Sequence, residues 1–138
     1  MNNTNLTTNL MLLCDYAIIA KDGKASFVGV FEELKNIKPP IILGRGFLAA
    51  TFTGTPNSTH QISVKAEHGN KNENILKNLE MSFTVGPNGR GNLLIELIGV
   101  QFPQPGIYHF RIYDGEEVVG STDLKVIRIK SDNQGEPN

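Results

Sequence analysis

Apolar and polar residues alternate along most of this chain, and the alternation stops at short intervals on Gly, Pro, Asn and Asp. A period of two broken by turn residues predicts short strands rather than helices. The clearest stretch is residues 102–120, FPQPGIYHFRIYDGEEVVG. Pro103, Pro105 and Gly106 bar a helix and set a turn, after which Tyr108, Phe110 and Ile112 alternate with His109, Arg111 and Tyr113. Asp114-Gly115 then predicts a two-residue hairpin turn, because Asp-Gly tolerates the left-handed backbone that a type I′ turn requires. That turn sets Phe110 opposite Val119 and Tyr108 opposite Ser121. Leu124 and Val126 are the next inward candidates, so a bulge is predicted near residues 121–123.

From the other end, residues 10–34 predict a hairpin around Asp22-Gly23. Counting outward from a two-residue turn pairs Ile18 with Phe27, Tyr16 with Gly29 and Cys14 with Phe31. Leu12, Cys14, Tyr16, Ile18, Phe27 and Phe31 then share the core face, with Tyr16 covering the bare backbone of Gly29. The opposite face carries Leu13, Ala17, Ile19, Val28 and Val30 with Asp15, Ser26 and Glu32, which is too apolar for a freely solvated sheet surface.

Pro39-Pro40 forces an extended crossover after that hairpin, and residues 32–37 have room for one helical turn before it. Gly44 and Gly46 predict a bend in a strand over residues 42–53, with Leu48, Ala50 and Phe52 facing inward. Residues 61–67 alternate cleanly, Ile62, Val64 and Ala66 inside. Over residues 79–97 a three-residue loop at Asn88-Gly89-Arg90 pairs Val85 with Leu93, Phe83 with Ile95 and Met81 with Leu97. A two-residue loop would oppose apolar to polar positions.

Seven or eight strands with close turn signals predict an all-β fold, a two-sheet antiparallel β-sandwich with immunoglobulin-like or fibronectin-like connections. Tyr108 falls where such folds carry a tyrosine corner. The 138 residues suffice for one self-supporting core. Residues 10–130 are expected to form that domain, with polar disordered tails at 1–9 and 131–138. The net charge of -1, with scattered basic residues, lacks the footprint of a nucleic-acid binder. The apolar run at residues 10–20 has no preceding Lys or Arg and is interrupted by Asp15, so it reads as a strand rather than a leader or membrane anchor. A single cysteine calls for no oxidising compartment, and a cytoplasmic location with no membrane partner is expected.

Four stretches, LCDYA at 13–17, GKASFVGVFE at 23–32, GPNGRGN at 86–92 and FPQPGIYHFRIYDGEEVVGS at 102–121, resemble a family of small bacterial proteins known only as a domain of unknown function. The resemblance spans about residues 13–126 and implies a stand-alone bacterial β-sandwich. It brings no activity, ligand or catalytic residue with it.

Candidate chemistry is sparse. Asp15 interrupts an apolar strand and is either a ligand contact or an outward carboxylate that blunts a sheet edge. Cys14 points inward by parity, with no adjoining base, and is expected to be a packed thiol rather than a nucleophile. His60, His68 and His109 match no zinc spacing. Glu32-Glu33 and Glu116-Glu117 place no general acid and base, and Asp22 and Asp114 are too isolated for a calcium cage. Gly44-Arg45-Gly46 and Gly89-Arg90-Gly91 lack the helix and Lys-Ser/Thr of a phosphate loop.

No catalytic residue, cofactor site or metal site is therefore expected. The expected function is non-enzymatic: a protein-interaction or self-associating module whose partner, another protein or a second copy, docks on Leu13, Asp15, Ala17, Ile19, Val28 and Val30. The alternative is a small-ligand or carbohydrate sensor built from the loops 55–60, 68–74 and 86–91.

Overall fold

The structure, a computed structural model, describes residues 5–36, 41–69, 73–77 and 79–129. Alternation becomes nine strands: β1 (Thr7–Ile19), β2 (Ala25–Phe31), β3 (Glu33–Asn36), β4 (Ile41–Thr53), β5 (Thr59–His68), β6 (Leu79–Thr84), β7 (Arg90–Phe102), β8 (Gly106–Asp114) and β9 (Glu117–Arg128). No helix occurs among the described residues. The strands form two sheets, β2-β1-β4-β7 and β3-β9-β8-β5-β6, all antiparallel except where β3 runs parallel to β9. They stack as a sandwich with one main core, which includes Leu13, Leu48 and Ile95 from the first sheet and Val64, Tyr108, Phe110 and Leu124 from the second.

The tyrosine corner is present. Tyr108 is fully buried, its hydroxyl donates to the Gln104 carbonyl at 2.7 Å, and the Gln104 amide donates back to the phenol oxygen at 3.3 Å. Phe102 meets the Tyr108 ring edge-on at a centroid distance of 4.9 Å, and His68 stacks on it at 4.6 Å. The β4–β7 ladder skips a rung at Gly44, and the inward set Leu48, Ala50 and Phe52 is observed, as is the alternation in β5.

Several local counts are corrected. The β8–β9 turn is Gly115-Glu116 rather than Asp114-Gly115, since Asp114 pairs with Glu117. Gly115 alone takes a positive φ of 63°, the pattern of a type II′ turn. The bulge lies between Ile112 and Tyr113 rather than near residues 121–123, which brings Tyr108 opposite Leu124 and Phe110 opposite Thr122.

The Asp22-Gly23 turn is also one residue longer than counted. Ala20 and Lys24 close it by a 2.8 Å backbone bond, leaving Lys21-Asp22-Gly23 as a three-residue loop with Gly23 at φ 89°. Every β1–β2 pair therefore slips by one: Tyr16 faces Val28, and Ala17 faces Phe27.

Residues 79–97 do not form a hairpin. β6 pairs with β5, matching Phe83 to His60 and Met81 to Ile62, whereas β7 pairs with β4 in the other sheet. Phe83, Val85, Leu93, Ile95 and Leu97 are buried as expected, but the turn at Gly89 carries the chain between layers. Where the sequence left room for a helical turn after Phe31, the chain forms β3. The chain changes sheet at Glu32, whose carbonyl accepts from the Lys125 amide at 2.9 Å.

Residues 5–9, which the sequence placed in a polar tail, are ordered against the fold. Leu6 is buried in the core, the Asn9 side chain donates to Thr53, and the Thr8 hydroxyl donates across the layers to the Val119 carbonyl. Residues 1–4 and 131–138 lie outside the described residues.

Candidate functional site

The N-terminal hairpin is the outer part of the four-stranded sheet, with β2 as its open edge. Its apolar residues divide three ways, because the ladder skips one rung between the pairs Cys14–Val30 and Tyr16–Val28. At the skipped position Gly29 takes φ 70°, and the Asp15 carboxylate occupies the space a Gly29 side chain would fill. Only glycine accepts that backbone and that contact without strain. Asp15, not Tyr16, is therefore the residue that covers Gly29.

A matching skip separates Leu43–Val100 from Arg45–Ile98, with Gly99 at φ 65°. Inward positions change parity there, from Leu93, Ile95 and Leu97 to Phe102 in β7, and from Ile41 and Leu43 to Leu48, Ala50 and Phe52 in β4. The kinks explain why this sheet is apolar on both faces.

Leu13 enters the main core at 2% exposure. Cys14 and Ala17 are buried with Phe47 in a second, smaller cluster, against which Leu12, Phe27 and Leu94 pack. The Tyr16 ring meets Phe47 edge-on at 5.9 Å, and Arg45, paired with Glu96, lies 5.8 Å over the same ring. Burial raises the Cys14 thiol above its ordinary 9.0. It is a packed thiol.

Of the six residues expected to bind a partner, Leu13 and Ala17 are thus inside and cannot present a surface. Asp15, Ile19, Val28 and Val30 are exposed. Two residues assigned to the core face, Tyr16 and Ile18, are each 48% exposed and join the surface, because the one-residue slip and the kink at Gly29 changed their side.

β2 differs from the other open edges in its chemistry. The five-stranded sheet ends in β3, with Glu33 and Lys35, and in β6, with Glu80; β7 carries Arg90 and Glu96. β2 reads ASFVGVF and has neither charge nor proline. Charged side chains and prolines are the usual devices that stop one sheet edge from pairing with another, and β2 lacks both.

Sequence reasoning missed a second constellation, at the β4–β5 loop. His60 Nδ1 lies 2.7 Å from Asp114 Oδ2, and its Nε2 lies 2.9 Å from the Ser58 hydroxyl. Ser58, His60 and Asp114 come from positions up to 56 residues apart, joined by β5–β8 pairing, which no local spacing reveals. The order resembles a hydrolytic triad, but the Ser58 hydroxyl lies closer, at 2.6 Å, to the Thr55 carbonyl, and its one proton serves one acceptor. The Asn57 and Ser58 amides, the nearest candidates for an oxyanion hole, already donate to Val85 and Thr55. The cluster is a latch that holds the β4–β5 loop to the β8–β9 hairpin.

His109 bonds Asp123 at 2.7 Å, and His68 donates to the Pro105 carbonyl at 3.0 Å. Among the described residues no group of three or more His, Cys, Asp or Glu is placed to hold a metal ion. The described parts of the three loops proposed for a ligand do not converge. Loops 55–60 and 86–91 meet at one end through Asn57 and Val85, whereas His68 and Gly69 contact Pro105 and Ile107 at the other. A groove of about 570 Å³ borders Ile75, Leu76, Lys77 and the Glu96 to Gln101 part of β7, and it draws on no pair of those loops.

Residues 9–127 match the family of unknown function DUF6941. The chain belongs to this family. No curated protein matches it. Among solved structures it is similar to the alkylpurine DNA glycosylase AlkC of Pseudomonas fluorescens bound to DNA containing an abasic site analog, at 11% identity and a TM-score of 0.55, over 92% of this chain and 31% of that one. A β-glucosidase from Listeria innocua in complex with isofagomine matches at 10% identity and a TM-score of 0.50, over 93% of this chain and 16% of that one. An immunoglobulin-like protein from Pseudomonas aeruginosa matches at 7% identity and a TM-score of 0.46, over 88% and 95%. The chain spans under a third of the glycosylase and about a sixth of the glucosidase, and at these identities the likeness shows the fold alone. No helix among the described residues is long and apolar enough to cross a membrane.

Proposed function

We propose that this DUF6941 protein is a non-enzymatic, cytoplasmic protein-interaction module that works through the outer face and open edge of its N-terminal hairpin. The observation that carries this is the uncharged edge strand β2, with Val28 and Val30 exposed at 59% and 52% beside Tyr16 and Ile18. A strand edge offers a partner a row of backbone hydrogen bonds, and alternate apolar side chains add buried area at about 25 cal/mol per Å². The packed Cys14 thiol and the committed amides beside Ser58 support a binding role over a catalytic one.

The test compares proteins retained from host lysate by the immobilised wild type and by Val28→Lys/Val30→Lys, with folding of both checked by circular dichroism. A protein bound by the first and lost by the second is the expected result. Identical capture by both, together with an unchanged oligomeric state, overturns the proposal.

A further inference from the structure

The tip of the β1–β2 hairpin lies over the far end of its own sheet. If β1 ran straight from Asn9 to Ile19, its rise of about 3.3 Å per residue would place the tip about 33 Å from Asn9. Yet Asp22 and Gly23 of the tip line one cleft of about 600 Å³ together with Asn9, Thr53 and Arg90. The hairpin therefore doubles back, and the skipped rung at Asp15 and Gly29 is where it turns. Ala17 and Phe27 seat it on the sheet by sharing a cluster with Phe47, Leu12 and Leu94.

From this cleft we infer a binding site for a neutral polyhydroxylated ligand, a mono- or oligosaccharide. Asn9, Thr51, Thr53, Asn88 and Asn92 line it, and each of these side chains is both a hydrogen-bond donor and an acceptor. A sugar hydroxyl is both as well, so it can meet any of them in either sense. Asp22 on the roof and Arg90 on the floor add one strong acceptor and one strong donor, and their charges cancel. Much of this capacity is unspent. The Asn9 amide donates to the Thr53 hydroxyl at 2.6 Å, which leaves the Asn9 carbonyl oxygen and the Thr53 proton; Asn88 accepts from the Arg90 backbone amide, which leaves its own amide protons. Among the described residues the Asn92 amide, the Thr51 hydroxyl and the Arg90 guanidinium have no hydrogen-bond or ion-pair partner.

Other ligand classes fit less well. An apolar ligand would find only Ala25 and Phe52, and Phe52 is buried in the main core. A phosphate would meet one cation, Arg90, with Asp22 opposing it. No exposed aromatic ring lines the cleft for a sugar to stack on, so binding rests on hydrogen bonds and is expected to be weak, in the millimolar range. The surface proposed above for a protein partner is separate, because Tyr16, Ile18, Val28 and Val30 do not line the cleft.

Titration of the isotope-labelled whole chain, followed by NMR, tests the site. The probes are glucose, galactose, N-acetylglucosamine and maltose, with inorganic phosphate as the ionic comparison. The signals are the side-chain amides of Asn9, Asn88 and Asn92 and the backbone amides of Gly23 and Gly91. At least one sugar is expected to shift signals from both the tip and the floor to saturation. Asn92 and Asp22 are exposed, so their replacement leaves the fold intact. Asn92→Ala should weaken binding about fivefold, the worth of one neutral hydrogen bond, and Asp22→Ala about tenfold, since a charged acceptor is stronger. Val28→Lys/Val30→Lys should bind the sugar as the wild type does.

Failure of every sugar to give a saturable shift overturns the inference, as do shifts that Asn92→Ala and Asp22→Ala leave unchanged. Phosphate moving both walls more strongly than any sugar also overturns it, in favour of an anion site at Arg90. A sugar bound while capture of a protein partner fails leaves this site standing and removes the docking surface. Capture without any sugar bound does the reverse.

Discussion

The two hairpins built around Asp-Gly, β1–β2 and β8–β9, use similar residues and meet opposite fates. In β8–β9, Tyr108, Phe110, Ile112 and Leu124 are fully buried, and β8 lies between β9 and β5. In β1–β2, Tyr16, Ile18, Val28 and Val30 remain about half exposed, and β2 has a neighbour on one side only. Strand composition does not separate them, since both alternate aromatic and β-branched residues. What separates them is the third neighbour: β8 has a strand on each side and a sheet beneath it, whereas β2 ends its sheet. An apolar strand in that position is incomplete on its own.

That contrast breaks first at its buried member. Phe110→Ala should cost about 3–5 kcal/mol in urea unfolding, because it empties a fully buried site, while Val30→Ala on the open edge should stay within about 0.5 kcal/mol. Comparable losses at both positions would mean that the edge is already covered within one chain. Gly29→Ala should cost about 1–2 kcal/mol for the left-handed backbone alone, with a further loss from displacing Asp15. Repeating it in an Asp15→Gly background should recover only that further part.

Tyr108→Phe keeps the ring and removes the bond to Gln104, so a loss of about 1 kcal/mol is expected in the same measurement. The hairpins also share a response to alkali. Burial raises the Cys14 thiol above 9.0 and the Tyr108 phenol above 10.0, so the folded chain holds both protons longer than the unfolded one. Stability is then full below pH 9 and declines as pH rises past those ordinary values, Cys14 contributing first. Denaturant midpoints between pH 8 and 11 should fall less steeply in Cys14→Ala than in the wild type. The smallest expected effect on stability is that of Val28→Lys, within about 0.5 kcal/mol, although association should be lost.

Much of the fold was legible in the chain. Alternation identified the strands and most of the inward residues, and Pro103 to Gly106 before Tyr108 announced the tyrosine corner. These features depend on neighbours in sequence, where steric limits on Pro and Gly and a period of two leave few options. The layer of each strand was not legible. The Asn88-Gly89 turn looked like a hairpin, yet β6 and β7 belong to different sheets, because a tight turn fixes chain reversal and not which strand supplies the hydrogen bonds.

The candidate surface shows the same division. Sequence alone established that the opening hairpin is apolar on both sides, while its placing of Val28 and Val30 on one face was overturned by the change of parity at Gly29. Tertiary structure decided the rest. A third loop residue and the skipped rung at Asp15 and Gly29 sent Leu13 and Ala17 inward and Tyr16 and Ile18 outward. A slip of one residue reverses every face, and its cost is set by the packing of whole layers, which is summed over contacts that no short stretch contains.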